Sequence, residues 1–96
     1  SIAHHFAEGT YCREMFMNRD DVVVGKKHLN SCTNVLLMGR VAVSDGDVVQ
    51  IHQAPFVFQS PAGTKRAIYA ITNVRWLTIH GNEDNGESMD IIESRL

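Results

Sequence analysis

Between Thr10 and His80 a turn signal recurs about every ten residues, and the stretches between are short and rich in β-branched or alternating residues. That rhythm constrains the fold more than any other feature. Strands of this length and spacing build a sandwich or barrel, and no sustained helical period interrupts them. Thr10 to Met17 alternates and ends at Asn18 to Asp21; Val22 to Val24 is a β-branched run closed by Gly25. His28 to Asn30 reads as a short strand, Ser31 to Thr33 as a polar corner, and Asn34 to Met38 as the apolar run before Gly39.

Val41 to Ser44 leads into Asp45-Gly46, the strongest tight-turn signal in the chain, so Val48 to His52 is expected to pair antiparallel with it. Proline removes a ladder donor, which makes Ala54-Pro55 a bend before the run Phe56 to Gln59. Pro61-Ala62-Gly63 is a second sharp turn, and Lys65 to Ile71 and Arg75 to His80 are the last strands. Residues 1–9 are expected to be a flexible tail, with His4 and His5 part of it. Met89, Ile92 and Leu96 fall at helical spacing, giving a short helix over 87–96.

A chain of 96 residues forms one domain, 1–96, near the lower limit for a self-sufficient core, so burial of a face against a second copy is expected: a homodimer or higher homo-oligomer. The balance of nine basic and eleven acidic residues is scattered along the chain, which argues against duplex nucleic acid as a partner. No apolar run reaches membrane-spanning length and no signal pattern opens the chain, so a cytoplasmic protein with no membrane partner is expected. Cys12 and Cys32 are too few for a disulfide scaffold or a zinc site and read as half-buried thiols.

Two segments carry a resemblance. Gly25-Lys26-Lys27-His28-Leu29-Asn30, continuing through Asn34 to Gly39, and Pro61-Ala62-Gly63-Thr64-Lys65-Arg66 resemble the two sequence blocks of the cupin family. The resemblance spans about Thr10 to His80 and implies an all-β fold, a single cupin-like β-barrel or jelly roll with a central pocket. Matched to the family's metal ligands, His28 stands at the first histidine, Asn30 at the second, Asn34 at the glutamate and Arg66 at the final histidine. Three of those four residues are poor ligands, because amide oxygens are weak donors and a guanidinium cannot ligate. The short architecture also resembles small cupins of phages and prophages, which would place the protein in a host cytoplasm and allow sequestration of a small molecule such as a nucleotide signal.

Alternation decides which side chains can meet, whatever the family. Asn34, Leu36 and Met38 share one face, as do Arg66, Ile68 and Ala70; Trp76, Thr78 and His80 share another, with Val35, Leu37 and Tyr69 pointing away. His28, Asn30, Asn34, Arg66, Trp76 and His80 are therefore the candidate ligand-binding residues, with a small, anionic or nucleotide-like molecule as the expected ligand. Each has a plainer reading: a hydrogen-bonded histidine, capping asparagines, a surface ion pair for Arg66, core packing for Trp76. No catalytic residue and no cofactor are expected. The first alternative is a metal-dependent enzyme of dioxygenase or isomerase type, its divalent metal held by His28 with His52 or His80. The second is a phage structural or protein-interaction component.

Overall fold

In the computed structural model the described residues are 1–25 and 30–82. They form nine strands: β1 (Ile2–Ala7), β2 (Thr10–Met17), β3 (Val22–Val24), β4 (Cys32–Met38), β5 (Arg40–Asp45), β6 (Val48–Gln53), β7 (Phe56–Ser60), β8 (Ala67–Ala70) and β9 (Val74–Gly81). These make two antiparallel sheets, one of five strands in the order β1-β2-β9-β4-β7 and one of four in the order β3-β8-β5-β6. The all-β expectation holds: the described residues contain no helix, and hence none long and apolar enough to cross a membrane. The two sheets share no ladder, so the arrangement is an open jelly-roll sandwich rather than a closed barrel.

The sandwich closes over one apolar cluster. Met17, Leu36, Val41, Val43, Ile68, Ala70, Val74 and Trp76 are buried together, with Met15, Val23, Phe56 and Phe58 packed against them. They come from alternate positions of seven strands, as a half-buried sheet face requires. The Asp45-Gly46 turn joins β5 to β6 in full register from Arg40↔Gln53 to Asp45↔Val48, with Gly46 at φ +64°. Gly39 is more tightly constrained. Its φ is +97°, and a Cβ there would lie 2.2 Å from the carbonyl oxygen of Asn73, so only glycine lets β4 turn into β5.

Three expectations are corrected. Residues 1–9 are not a loose tail, because Ile2–Ala7 pairs with β2 residue for residue from Ile2↔Met15 to Ala7↔Thr10. His4 and His5 are accordingly structural: His4 Nδ1 lies 2.7 Å from the Tyr11 hydroxyl and His5 Nε2 lies 2.9 Å from Glu14 Oε1. Met38 leaves the face of Asn34 and Leu36, because the β4–β9 register slips between Leu36 and Met38 and turns Met38 outward. The strand expected over His28 to Asn30 lies mostly outside the described residues; Asn30 itself sits in an exposed bend. The helix expected over 87–96 also lies outside them.

Candidate ligand cavity between the sheets

Strand β9 is the middle strand of the five-stranded sheet, and its register sets the site. Opposite residues of antiparallel strands share a face, so Trp76 stands beside Leu36 and Met15, Thr78 beside Asn34 and Arg13, and His80 beside Tyr11. On the far side of β4, Asn34 faces Phe58 and Cys32 faces Ser60. All of these side chains turn toward the second sheet.

A buried hydrogen-bond chain runs across this face. The Trp76 indole Nε1–H donates to Asn34 Oδ1 at 3.0 Å, and Asn34 Nδ2 donates to the Ser60 hydroxyl at 2.7 Å. The same hydroxyl accepts from Arg66 Nη1. Arg66 begins the approach to β8 from the Pro61-Ala62-Gly63 turn, which is pinned by Thr64: its amide and hydroxyl both donate to the Pro61 carbonyl. The guanidinium lies over the Phe58 ring, 5.0 Å from its centroid, and Phe58 meets Trp76 edge to face at 5.4 Å. Among the described residues Arg66 has one carboxylate near it, the exposed Asp45 at 3.8 Å. Burial pushes the Cys32 thiol pKa up, against the opposing pull of Ser60, Arg66 and Asn34, so the sulfur beside this chain is a neutral thiol at physiological pH.

These residues border a cavity of about 560 Å³ between the sheets, whose lining includes Arg13, Asn34, Ser60, Arg66, Trp76 and His80. That is within the size range of small-molecule sites. Two guanidiniums reach it, Arg13 from β2 and Arg66 from the approach to β8, and among the described residues its lining includes the carboxylate of Asp21, whose Oδ2 accepts the Asn18 amide at 2.9 Å. At one end of the inner face His80, Tyr11 and His4 stack in sequence, with centroids 6.0 and 5.8 Å apart. A second cavity of about 420 Å³ lies on the other side of Arg66, with His52, Phe56, Phe58 and Asp45 in its lining, so that Arg66 is the wall common to both.

Of the residues singled out from sequence, Asn34, Arg66, Trp76 and His80 line one cavity. His52 does not join them; it stacks on Phe56 at 4.3 Å in the second cavity. Asn30 lies in its exposed bend outside either lining, and His28 is outside the described residues. Arg13 and Ser60 were missed by motif reasoning, yet alternation carried the signal: Arg13 falls on the same parity as Tyr11, Met15 and Met17, and Ser60 on that of Phe56 and Phe58.

No family model matches the chain, and no curated protein does. Solved structures do match. A cupin superfamily protein from Desulfitobacterium hafniense shares 13% identity at a TM-score of 0.71, over 84% of this chain and 77% of that one. The cupin domain of Schizosaccharomyces pombe Cnp3 shares 21% identity at a TM-score of 0.71, over 84% of this chain and 64% of that one. An RmlC-like cupin with a double-stranded β-helix fold from Methanocaldococcus jannaschii shares 9% at 0.70, over 86% and 82%. At these identities the likeness defines the fold: the chain is a cupin-fold domain, and its ligand has to be argued from its own residues.

Cupins often hold a metal; the donor set of the described residues does not fit one, and His28, the first candidate ligand, lies outside them. Among the described residues no three His, Cys, Asp or Glu side chains are grouped to hold an ion. Asn34 Oδ1 is already occupied by the Trp76 indole, and Arg66 presents a cation where an imidazole would be needed.

Proposed function

We propose that this cupin-fold domain binds a small organic anion, a carboxylate or phosphate ester of up to nucleotide-like size, in the cavity between its sheets, as a carrier or sequestering protein rather than as an enzyme. The observation that carries this reading is the convergence of Arg13 and Arg66 on one cavity of about 560 Å³ with apolar walls. A guanidinium offers planar, multiple N–H donors suited to carboxylate and phosphate oxygens. Arg66 is oriented for such a contact by the Ser60 hydroxyl and the Phe58 ring, while Asn34 is itself fixed by Trp76. Trp76, Ile68 and Met17 supply the apolar surface on which the organic part of the ligand rests. If the protein is phage-encoded, its target is a host metabolite of this charge class. The presence of an open cavity favours this over a purely structural role, in which the domain's own side chains would fill the space.

Thermal-shift and calorimetric titration with a panel of inorganic phosphate, nucleoside monophosphates, cyclic nucleotides and dicarboxylates tests it. At least one anion is expected to raise the Tm of the wild-type chain, and Arg66→Gln and Arg13→Gln are each expected to weaken its binding about 10-fold or more, the usual scale of one charge-assisted contact. A wild-type protein indifferent to the whole panel, or binding that survives the double variant, overturns the proposal.

A further inference from the structure

The second cavity, of about 420 Å³, lies between the edge strands of the two sheets, β6 and β7, and parity sets its walls. His52 and Gln50 stand opposite the buried Val41 and Val43, so both turn inward from β6. Phe56 and Phe58, opposite the buried Leu36 and Asn34, turn inward from β7. The Ala54-Pro55 bend joins the two strands beside His52 and Phe56, while Asp45 and Arg66 stand at the far end.

This wall is aromatic and already ordered. His52 stacks on Phe56 with 4.3 Å between centroids and 13° between planes, and Phe58 lies 5.7 Å from His52 and 5.6 Å from Phe56. Rings held in this way lose little freedom when another ring joins them. The polar atoms beside them are open. His4 and His5 each have a side-chain partner, but among the described residues no hydrogen bond uses the His52 ring nitrogens or the Gln50 amide. Gln59 accepts from Thr33 through Oε1 and keeps its amide nitrogen unused. A neutral imidazole and a carboxamide each bring a donor and an acceptor.

The lining narrows the class of ligand. An alkyl chain would take these donors and acceptors out of water without pairing them. A quaternary ammonium would enter against the Arg66 guanidinium, which already lies over the Phe58 ring. An anion would meet the carboxylate of Asp45, which lines this cavity and not the first. An uncharged planar ring with donors and acceptors on its edge satisfies all three conditions. We infer that the second cavity binds an uncharged heteroaromatic ring of nucleobase type, its face on the aromatic wall and its edge read by His52 and Gln50. The inference rests on residues that the anion reading does not use.

Titration of the full chain with adenine, hypoxanthine, uracil and nicotinamide, all uncharged at neutral pH, followed in proton–nitrogen correlation spectra, tests this. At least one is expected to bind with a Kd of about 1 mM or tighter, the scale of so small a ligand. It is expected to move the side-chain amide signals of Gln50 and Gln59 more than the Trp76 indole signal, which reports the first cavity. His52→Phe keeps a ring in the stack but removes its nitrogens, and is expected to weaken binding about 5- to 10-fold. Gln50→Trp places an indole of the chain's own in the cavity and is expected to weaken it more than about 30-fold. Gln50 is exposed and unbonded, so a folding defect in His52→Phe does not decide the matter. Val57→Lys, on the exposed outer face of β7, is expected to leave binding unchanged. Four results overturn the inference: no ring moving any signal, shifts centred on Trp76, binding that survives both cavity variants, or cyclohexanecarboxamide bound as tightly as nicotinamide. Since no probe carries a charge, failure here leaves the anion reading standing, and failure of the anion panel leaves this one.

Discussion

Two arginines of this sandwich, Arg75 on β9 and Arg66 just before β8, live in opposite circumstances. Arg75 points outward from β9 and is spent on Glu14: its Nε and Nη2 donate to Oε2 at 2.9 and 2.5 Å, while His5 Nε2 meets Oε1 at 2.9 Å. Arg66 points inward, holds a serine hydroxyl and an aromatic face, and among the described residues meets a carboxylate only at 3.8 Å, on the exposed Asp45. A guanidinium matched by a closely bonded carboxylate is part of the scaffold. One held in place by neutral groups at the wall of a cavity keeps its charge available to an incoming anion, because hydrogen bonds from serine orient it without neutralising it.

The comparison can be broken by giving Arg66 what Arg75 already has. Ser60→Asp places a carboxylate at the position whose hydroxyl now accepts from Arg66. The variant is expected to lose anion-induced thermal stabilisation almost entirely, with affinity down about 100-fold, as an internal carboxylate competes for the same donors. Anion binding undiminished in this variant would mean that Arg66 is not the anchoring group. A smaller effect is expected from Asn34→Ala, which strands the buried Trp76 N–H and one partner of Ser60. The cost is about 1–3 kcal/mol, or a Tm lower by roughly 4–20 °C for a domain of this size, with a shift in tryptophan fluorescence. Thr33→Ala, next to Asn34 on β4, removes an exposed hydrogen bond to Gln59 of β7 and is the control, expected to change stability by less than about 0.5 kcal/mol.

The inward half of this contrast was legible in the sequence to an uneven degree. Asp45-Gly46 and Pro61-Ala62-Gly63 mark their turns by chemistry that only those positions satisfy, so the strands around them and the inward parity of Arg66 could be read directly. Trp76, Thr78 and His80 followed from alternation within one strand. What failed was anything that depended on partners distant in sequence. Residues 1–9 look like a tail because nothing local marks them; their strand exists only because β2 offers an edge from Met15 to Thr10. Met38 was placed inward because a bulge, which shifts parity by one, leaves no trace in a run such as Leu36-Leu37-Met38. Arg13 was passed over since it belongs to no motif, although the alternation of Tyr11, Met15 and Met17 around it put it on the inner face. His52 shows the converse limit: parity sends it inward, but only the stacking of two sheets decides that it meets Phe56 rather than His80.

The outward half of the contrast gives the smallest effect and the cleanest sign. The Arg75 hydrogen bonds, and after them the His5 contact, hold the Glu14 carboxyl below its ordinary value of 4.5. A carboxyl whose folded-state pKa is depressed stabilises the fold fully above its unfolded value, and that contribution disappears as pH falls through the lower, folded value. Arg75→Gln removes the main cause of the depression. The Tm gap between wild type and variant is therefore expected to be widest near neutrality and to narrow as pH drops below about 4.5, because protonated Glu14 has no charge for Arg75 to hold. Arg75 also lies over the Phe16 ring, 5.4 Å from its centroid, a packing contact that does not depend on the protonation of Glu14. Melting curves from pH 3 to 7 separate the two roles: a gap that stays constant across the range would assign Arg75 to packing alone and dissolve the distinction between a matched outer arginine and an available inner one.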